Sequence, residues 1–207
     1  MPGKLKIEHH TLTDWDFEHG GLYRSLSTAF YISAPSSLKF GPSPAWWATY
    51  VLCRIPATLC LPQGEIRAWH RTIQPTIPLA IFRNQAPLGT VNILNCYVVS
   101  ISATALSLGR YVNGVGRAID STDGYWVGST WIHFRVFWYN GKTPGEEEAL
   151  CVDGYREIAG EWVKIGNTMY DPDNVFKDSE INRIGFASTL FAGVEAWIDD
   201  TEIWGPV

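Results

Sequence analysis

The stretch Trp131-Ile-His-Phe-Arg-Val-Phe-Trp-Tyr139 alternates with a period of two, and no other feature limits the fold as tightly. Successive side chains of an extended strand point to opposite faces. Ile132, Phe134, Val136 and Trp138 therefore share one face, and Trp131, His133, Arg135, Phe137 and Tyr139 the other. Asn140-Gly141 follows, a pair suited to a two-residue hairpin turn, so the strand is expected to close there. Residues 65–71 repeat the pattern, with Ile66, Ala68 and His70 opposite Glu65, Arg67, Trp69 and Arg71. Further strands are expected over 46–55, 79–83, 91–101, 103–111, 148–152, 162–166, 181–187 and 194–204. Turn chemistry separates them at Gly20-Gly21, Gly41-Pro42, Asn113-Gly114, Asp123-Gly124, Asp153-Gly154 and Asp171-Pro172-Asp173-Asn174. No window of eleven residues holds a helical period, and a short helix near 172–179 is the one such expectation. The reading is an all-β, single-domain antiparallel β-sandwich over residues 1–207, with very little helix.

Composition narrows the function more by exclusion than by indication. Charged residues make up 18% of the chain and hydrophobic ones 46%, which excludes a disordered chain. Ten Trp, nine Tyr and nine Phe exceed what one core needs, so some rings are expected at the surface as contact groups. A net charge of −5, with no paired Lys or Arg run, argues against nucleic acid, which needs basic patches to displace counterions. Residues 91–108 carry Asn92, Asn95, Ser100, Ser102, Thr104 and Ser107, so they read as two strands and no membrane insertion is expected. Met1 to His10 has two lysines and no apolar stretch behind them, so the expected product is made in the cytoplasm without a signal peptide. Cys53, Cys60, Cys96 and Cys151 lack metal-finger spacing and read as buried thiols, with a Cys53–Cys60 bridge as the alternative.

Two segments at opposite ends carry a resemblance. One is Asp14-Trp-Asp-Phe-Glu-His-Gly20, followed by Ser36-Ser-Leu-Lys-Phe40. The other is Gly185-Phe-Ala, followed by Ala196-Trp-Ile-Asp-Asp-Thr-Glu-Ile-Trp204. Together they resemble the jelly-roll sandwiches of carbohydrate-binding modules and of laminin-G-like or concanavalin A-like domains. That resemblance implies that the first and last strands pair, setting residues 14–18 beside 199–202. It also implies a structural calcium on Asp16, Glu18 and Asp199, with Asp200 less favoured; otherwise these acids cap turns or face solvent without metal. Asp171, Asp173, Asn174 and Asp178 form a second oxygen-rich loop, although Asp and Asn dominate turns anyway.

Catalytic signatures are thin. The one-strand Glu-x-Asp-x-x-Glu arrangement of sandwich glycosidases is absent, and Glu146-Glu147-Glu148 reads as a solvated hairpin tip. Gly64-Glu-Ile-Arg-Ala68 and Trp131-Ile-His133 resemble strands of polysaccharide lyases, but without the leading Arg, the Gln or the Tyr-rich strand. A lyase or hydrolase therefore ranks below two non-catalytic readings. The first is a structural or decoration protein on the exterior of a virion or other assembly, with other protein subunits as partners. The alternative is a glycan-binding module, whose candidate contacts are Arg67, Trp69, Arg71, Trp131, His133, Arg135 and Tyr139. Rings stack on sugar C–H faces, while Arg and His donate to hydroxyls.

Overall fold

A computed structural model describes residues 4–7, 15–17, 24–41, 47–53, 62–72, 77–87, 89–90, 93–102, 104–123, 130–190 and 195–205. Among the described residues fifteen strands follow in chain order: β1 Lys4–Ile7, β2 Trp15–Phe17, β3 Arg24–Ser27, β4 Ser37–Phe40 and β5 Trp47–Cys53. Next come β6 Gly64–Thr72, β7 Ile77–Asn84, β8 Cys96–Ile101, β9 Ala105–Val112 and β10 Val115–Asp123. The chain continues with β11 Trp131–Lys142, β12 Glu148–Ile158, β13 Glu161–Asp171, β14 Arg183–Leu190 and β15 Ala196–Trp204. They form two antiparallel sheets. One runs β13-β12-β11-β6-β15-β4-β3, with β1 also on β15; the other runs β10-β9-β8-β7-β14-β5-β2. No helix occurs among the described residues, and 172–179 holds turns instead of the expected helical segment.

The inner faces of the two sheets close over one apolar cluster. The alternation of β11 places Ile132, Phe134, Val136 and Trp138 inside, and β6 likewise buries Ile66, Ala68 and His70. Trp138 stacks on Phe82 of the opposite sheet at 4.9 Å, and Phe82 on Tyr97 at 5.5 Å. Fully burying large apolar side chains of this kind contributes about 1.5–3 kcal/mol each. Gly154 lies where Leu106 presses against β12, and a Cβ there would collide with the leucine side chain.

Two turn expectations move. Asn113-Gly114 does link β9 to β10, both residues having positive φ (51° and 80°). Asn140-Gly141, by contrast, stays within β11, and the chain reverses at residues 143–147. The reason is tertiary: the Asn140 side-chain oxygen accepts from Arg83 Nη2 at 2.8 Å and from Asn174 Nδ2 at 3.1 Å. Asp153-Gly154 is also interior to a strand, β12, and not a turn.

The terminal pairing is corrected in the same way. A first and a last strand do pair, but the partner of Thr201–Trp204 is β1, in register Lys4↔Trp204 to Ile7↔Thr201. Asp16 lies on β2, which pairs β5 in the other sheet, so the structure does not place residues 15–17 beside 199–202. Cys96 and Cys151 are buried free thiols, and burial raises the Cys96 pKa to about 12. Cys60, and with it the proposed bridge, lies outside the described residues.

Candidate functional site

The outward face of the first sheet gathers the candidate residues. The β6–β11 register sets Trp69 opposite His133, Arg67 opposite Arg135 and Arg71 opposite Trp131. On the other side of β6, β15 adds Glu202 opposite Arg67 and Trp204 opposite Glu65. Beyond β11, β12 brings Tyr155 beside Arg135, and β13 brings Trp162 beside Glu157.

Glu65 organises the centre. Its Oε1 accepts from Arg67 Nε at 2.6 Å, and its Oε2 faces Arg135 Nη2 at 2.6 Å. Both guanidiniums also lie over rings: Arg67 over Trp204 (4.9 Å) and Trp162 (5.6 Å), Arg135 over Tyr155 (4.7 Å) and Phe137 (5.8 Å). Such cation–ring contacts are worth about 0.5–2 kcal/mol each. His133 stacks on Trp69 at 4.7 Å with only 10° between planes and meets Trp162 at 4.7 Å. Its Nδ1 is in contact with Glu157 Oε2, which leaves the orientation of the imidazole set from two sides.

Two hollows share Arg67 as a wall. One, of about 330 Å³, is lined by Arg67, Trp69, His133, Glu157, Trp162, Asp200 and Glu202. The other, of about 430 Å³, is more apolar and lies among Gln63, Gly64, Glu65, Arg67, Phe137, Trp204 and Gly205. Concave, ring-lined surfaces with a few fixed polar groups are the usual form of small-ligand sites. Trp162, Glu157, Tyr155, Glu202 and Trp204 were missed as site residues. Their strands were partly expected, but the alternation of one strand says nothing about its neighbours.

The remaining candidates lie at the margins of these hollows. Tyr139 stacks on Phe137 at 5.0 Å, and burial followed by the nearby Asp153 carboxylate pushes its pKa up to about 12. Arg71 lies over Phe30 at 4.2 Å and Trp197 at 5.9 Å. The 28–36 loop that carries Phe30 is tied down by Asp199, whose Oδ2 accepts from the backbone N–H of Ile32 (2.7 Å) and Ser33 (3.0 Å). Ser33 Oγ also donates to Asp200 Oδ2 at 2.9 Å.

Of the expected calcium ligands, Asp16 and Asp199 are not brought together. Asp16 accepts from Gly89 N at 2.8 Å and from Arg183 Nη2 at 2.5 Å, so a guanidinium takes the place a cation would fill. Asp199 is on the other sheet; burial raises its pKa, while N–H donors from Ile32, Ser33 and Asp200 oppose the shift. Glu18 lies outside the described residues. In the second oxygen-rich loop, Asp171 and Asp173 hold Arg110, and Asn174 holds Arg83. Among the described residues no group of three His, Cys, Asp or Glu is arranged to hold a metal.

This fold is a concanavalin A-like jelly-roll β-sandwich, similar to the folds of carbohydrate-binding modules and lectins. Three solved structures illustrate the likeness. Lectin II from Ulex europaeus superposes with a TM-score of 0.59 at 9% identity, over 97% of each chain. The exoplasmic/lumenal domain of VIP36, in a Ca2+/Man3GlcNAc-bound form, gives 0.56 at 13% identity, over 99% of this chain and 88% of the other. The carbohydrate-binding module CBM66 from Bacillus subtilis gives 0.51 at 8% identity, over 94% of this chain and 93% of the other. At such identities the likeness is one of fold. No family model matches the chain, and no curated relative matches it.

Proposed function

We propose that the chain is a non-catalytic glycan-recognition module that binds on the outward face of β13-β12-β11-β6-β15. The observation that carries this reading is the ring-lined hollow beside Arg67, with Trp69 and Trp162 flanking an imidazole whose Nδ1 is engaged by Glu157. Trp and Arg so placed suit C–H stacking and donation to hydroxyls. Glycan-array binding followed by calorimetry tests the reading. Trp69→Ala and Trp162→Ala should each weaken binding at least tenfold while leaving the melting temperature within a few degrees; unchanged affinity in both refutes it.

A second reading, compatible with the first, is a subunit on the exterior of a virion or similar assembly. Its support is the cluster Leu26, Phe30, Tyr31 and Ile32, each 38–44% exposed around one anchored loop. Exposed apolar patches of this kind favour protein contacts. Light scattering decides: a dilution-insensitive monomer that binds no assembly partner counts against it.

A further inference from the structure

Among the described side chains of the outward face, the cations are nearly all matched to acids. Arg67 and Arg135 share Glu65, Lys164 meets Asp153 at 2.6 Å, Lys39 meets Glu195 at 2.5 Å, and His133 contacts Glu157. Arg71 is different. No carboxylate of the described residues lies within ion-pair distance, and its partners are rings: Phe30 at 4.2 Å and Trp197 at 5.9 Å. Its Nε is enclosed and makes no hydrogen bond, whereas its terminal nitrogens are not enclosed. Trp131 and Trp197 are its cross-strand neighbours, and Trp69 lies two residues before it on the same face.

A guanidinium whose Nε is enclosed, that lies over rings and that has no carboxylate of the described residues in reach suits one chemistry above others. Its paired N–H donors match the two oxygens of a carboxylate. Of the surrounding indoles Trp197 is buried, whereas Trp131 and Trp69 are partly exposed and supply the stacking surface that a sugar ring would use. One strand step further, about 6.6 Å along β6 for two residues, begins the hollow lined by Glu157, Asp200 and Glu202. Arg67 and His133 also line it, against Glu202 and Glu157, but its three carboxylates outnumber its cations, so it disfavours a second carboxylate and accepts from hydroxyls instead.

We propose that Arg71 anchors the carboxylate of a uronate-type sugar whose ring lies on Trp131 and Trp69, while the adjoining neutral sugar occupies the acidic hollow. The ligand class is thus a glycan that places single carboxylates between neutral units, and not a continuous polyuronate. This rests on the glycan-binding reading above.

The test uses three oligosaccharide sets with isolated uronates, alternating in hyaluronan and unsulfated chondroitin and as side branches in glucuronoxylan, each as free acid and as carboxyl methyl ester. Sulfated chondroitin and neutral chito-oligosaccharides complete the panel, with calorimetry on the full chain. The free acid of at least one set should bind tenfold or more tighter than its ester, and the preference should weaken as salt rises. In Arg71→Gln that acid-to-ester ratio should collapse toward one, and Arg71→Lys, which keeps the charge but not the fork, should give an intermediate ratio. Melting curves show whether either variant has lost the fold. Equal affinity for acid and ester, binding of the neutral set alone, or a preference for the sulfated set overturns the proposal while leaving glycan binding intact. No binding to any member, with Trp69→Ala indistinguishable from the parent on a full glycan array, overturns both.

Discussion

Two arginine–carboxylate clusters in this molecule use the same chemistry for opposite ends. At one end of the sandwich, Arg110 Nη1 donates to both oxygens of Asp171 (3.0 and 2.7 Å), and Tyr97 OH donates to the same carboxylate at 2.6 Å. Asp171 is 1% exposed, and burial followed by that carboxylate's acceptance of its proton holds the Tyr97 hydroxyl protonated well above its usual range. On the outward face, Glu65 is also buried, yet the side chains of Arg67 and Arg135 remain 24% and 23% exposed. The enclosed cluster exhausts its donors internally. The open one uses its carboxylate to hold two planes in place while their outer surfaces stay available to rings and solvent. The difference lies in what covers the guanidinium: sandwich core in the first case, a single layer of indole and phenol in the second.

The largest expected effect should come from breaking the enclosed cluster. Asp171→Ala leaves Arg110 and Tyr97 without their shared acceptor and should lower unfolding free energy by about 3–5 kcal/mol. Urea denaturation measures it, and a loss below about 1 kcal/mol would mean that the cluster is not structurally important.

A second prediction concerns β6, which presents Arg67, Trp69 and Arg71 outward and buries His70 on its inner side. Burial lowers the His70 pKa from 6.5 to about 3. The unfolded chain therefore takes up the proton first, so this contribution is complete above pH 6.5 and declines as pH falls toward 3. Stability should drop by about 1.4 kcal/mol per pH unit below 6.5. Urea melts between pH 6.5 and 4.5, above most carboxylate titrations, should show this slope in the parent and a flatter one in His70→Leu.

On the open face the expectation reverses: binding changes and stability does not. Trp162→Ala should cost about 1.4 kcal/mol or more of glycan affinity, as truncating an aromatic anchor commonly does. Its unfolding free energy should move by less than 1 kcal/mol, because Trp162 covers one side of Arg67 and lies outside the core cluster. A loss confined to stability would make the two clusters alike. The smallest effect belongs to the hairpin tip, where Lys142 and Glu146 pair at 2.9 Å with both side chains well exposed. Lys142→Ala should change stability by no more than about 0.5 kcal/mol.

The alternation of β11 and β6 was legible in the sequence because the strand period is a local property of covalent geometry: neighbours on one strand must face opposite ways. That alone separates Ile132, Phe134, Val136 and Trp138 from Trp131, His133, Arg135 and Tyr139, and it places Arg67, Trp69 and Arg71 on one surface. The Asn113-Gly114 turn was legible for a similar reason, since both of its residues must tolerate positive φ. Which strands lie side by side was decided only by the tertiary structure. Ladder hydrogen bonds join β6 to β11 and β15 across long spans of chain, and no local pattern specifies such partners. That non-local choice put Trp162, Glu157 and Glu202 around the hollow and sent Asp16 to the opposite sheet from Asp199. It also kept Asn140-Gly141 within a strand, because Arg83 and Asn174, both remote in sequence, claim the Asn140 side chain. The same choice set Arg71 among rings with no acid of the described residues in reach, which is a matter of what lies across from a residue and not of the residue itself.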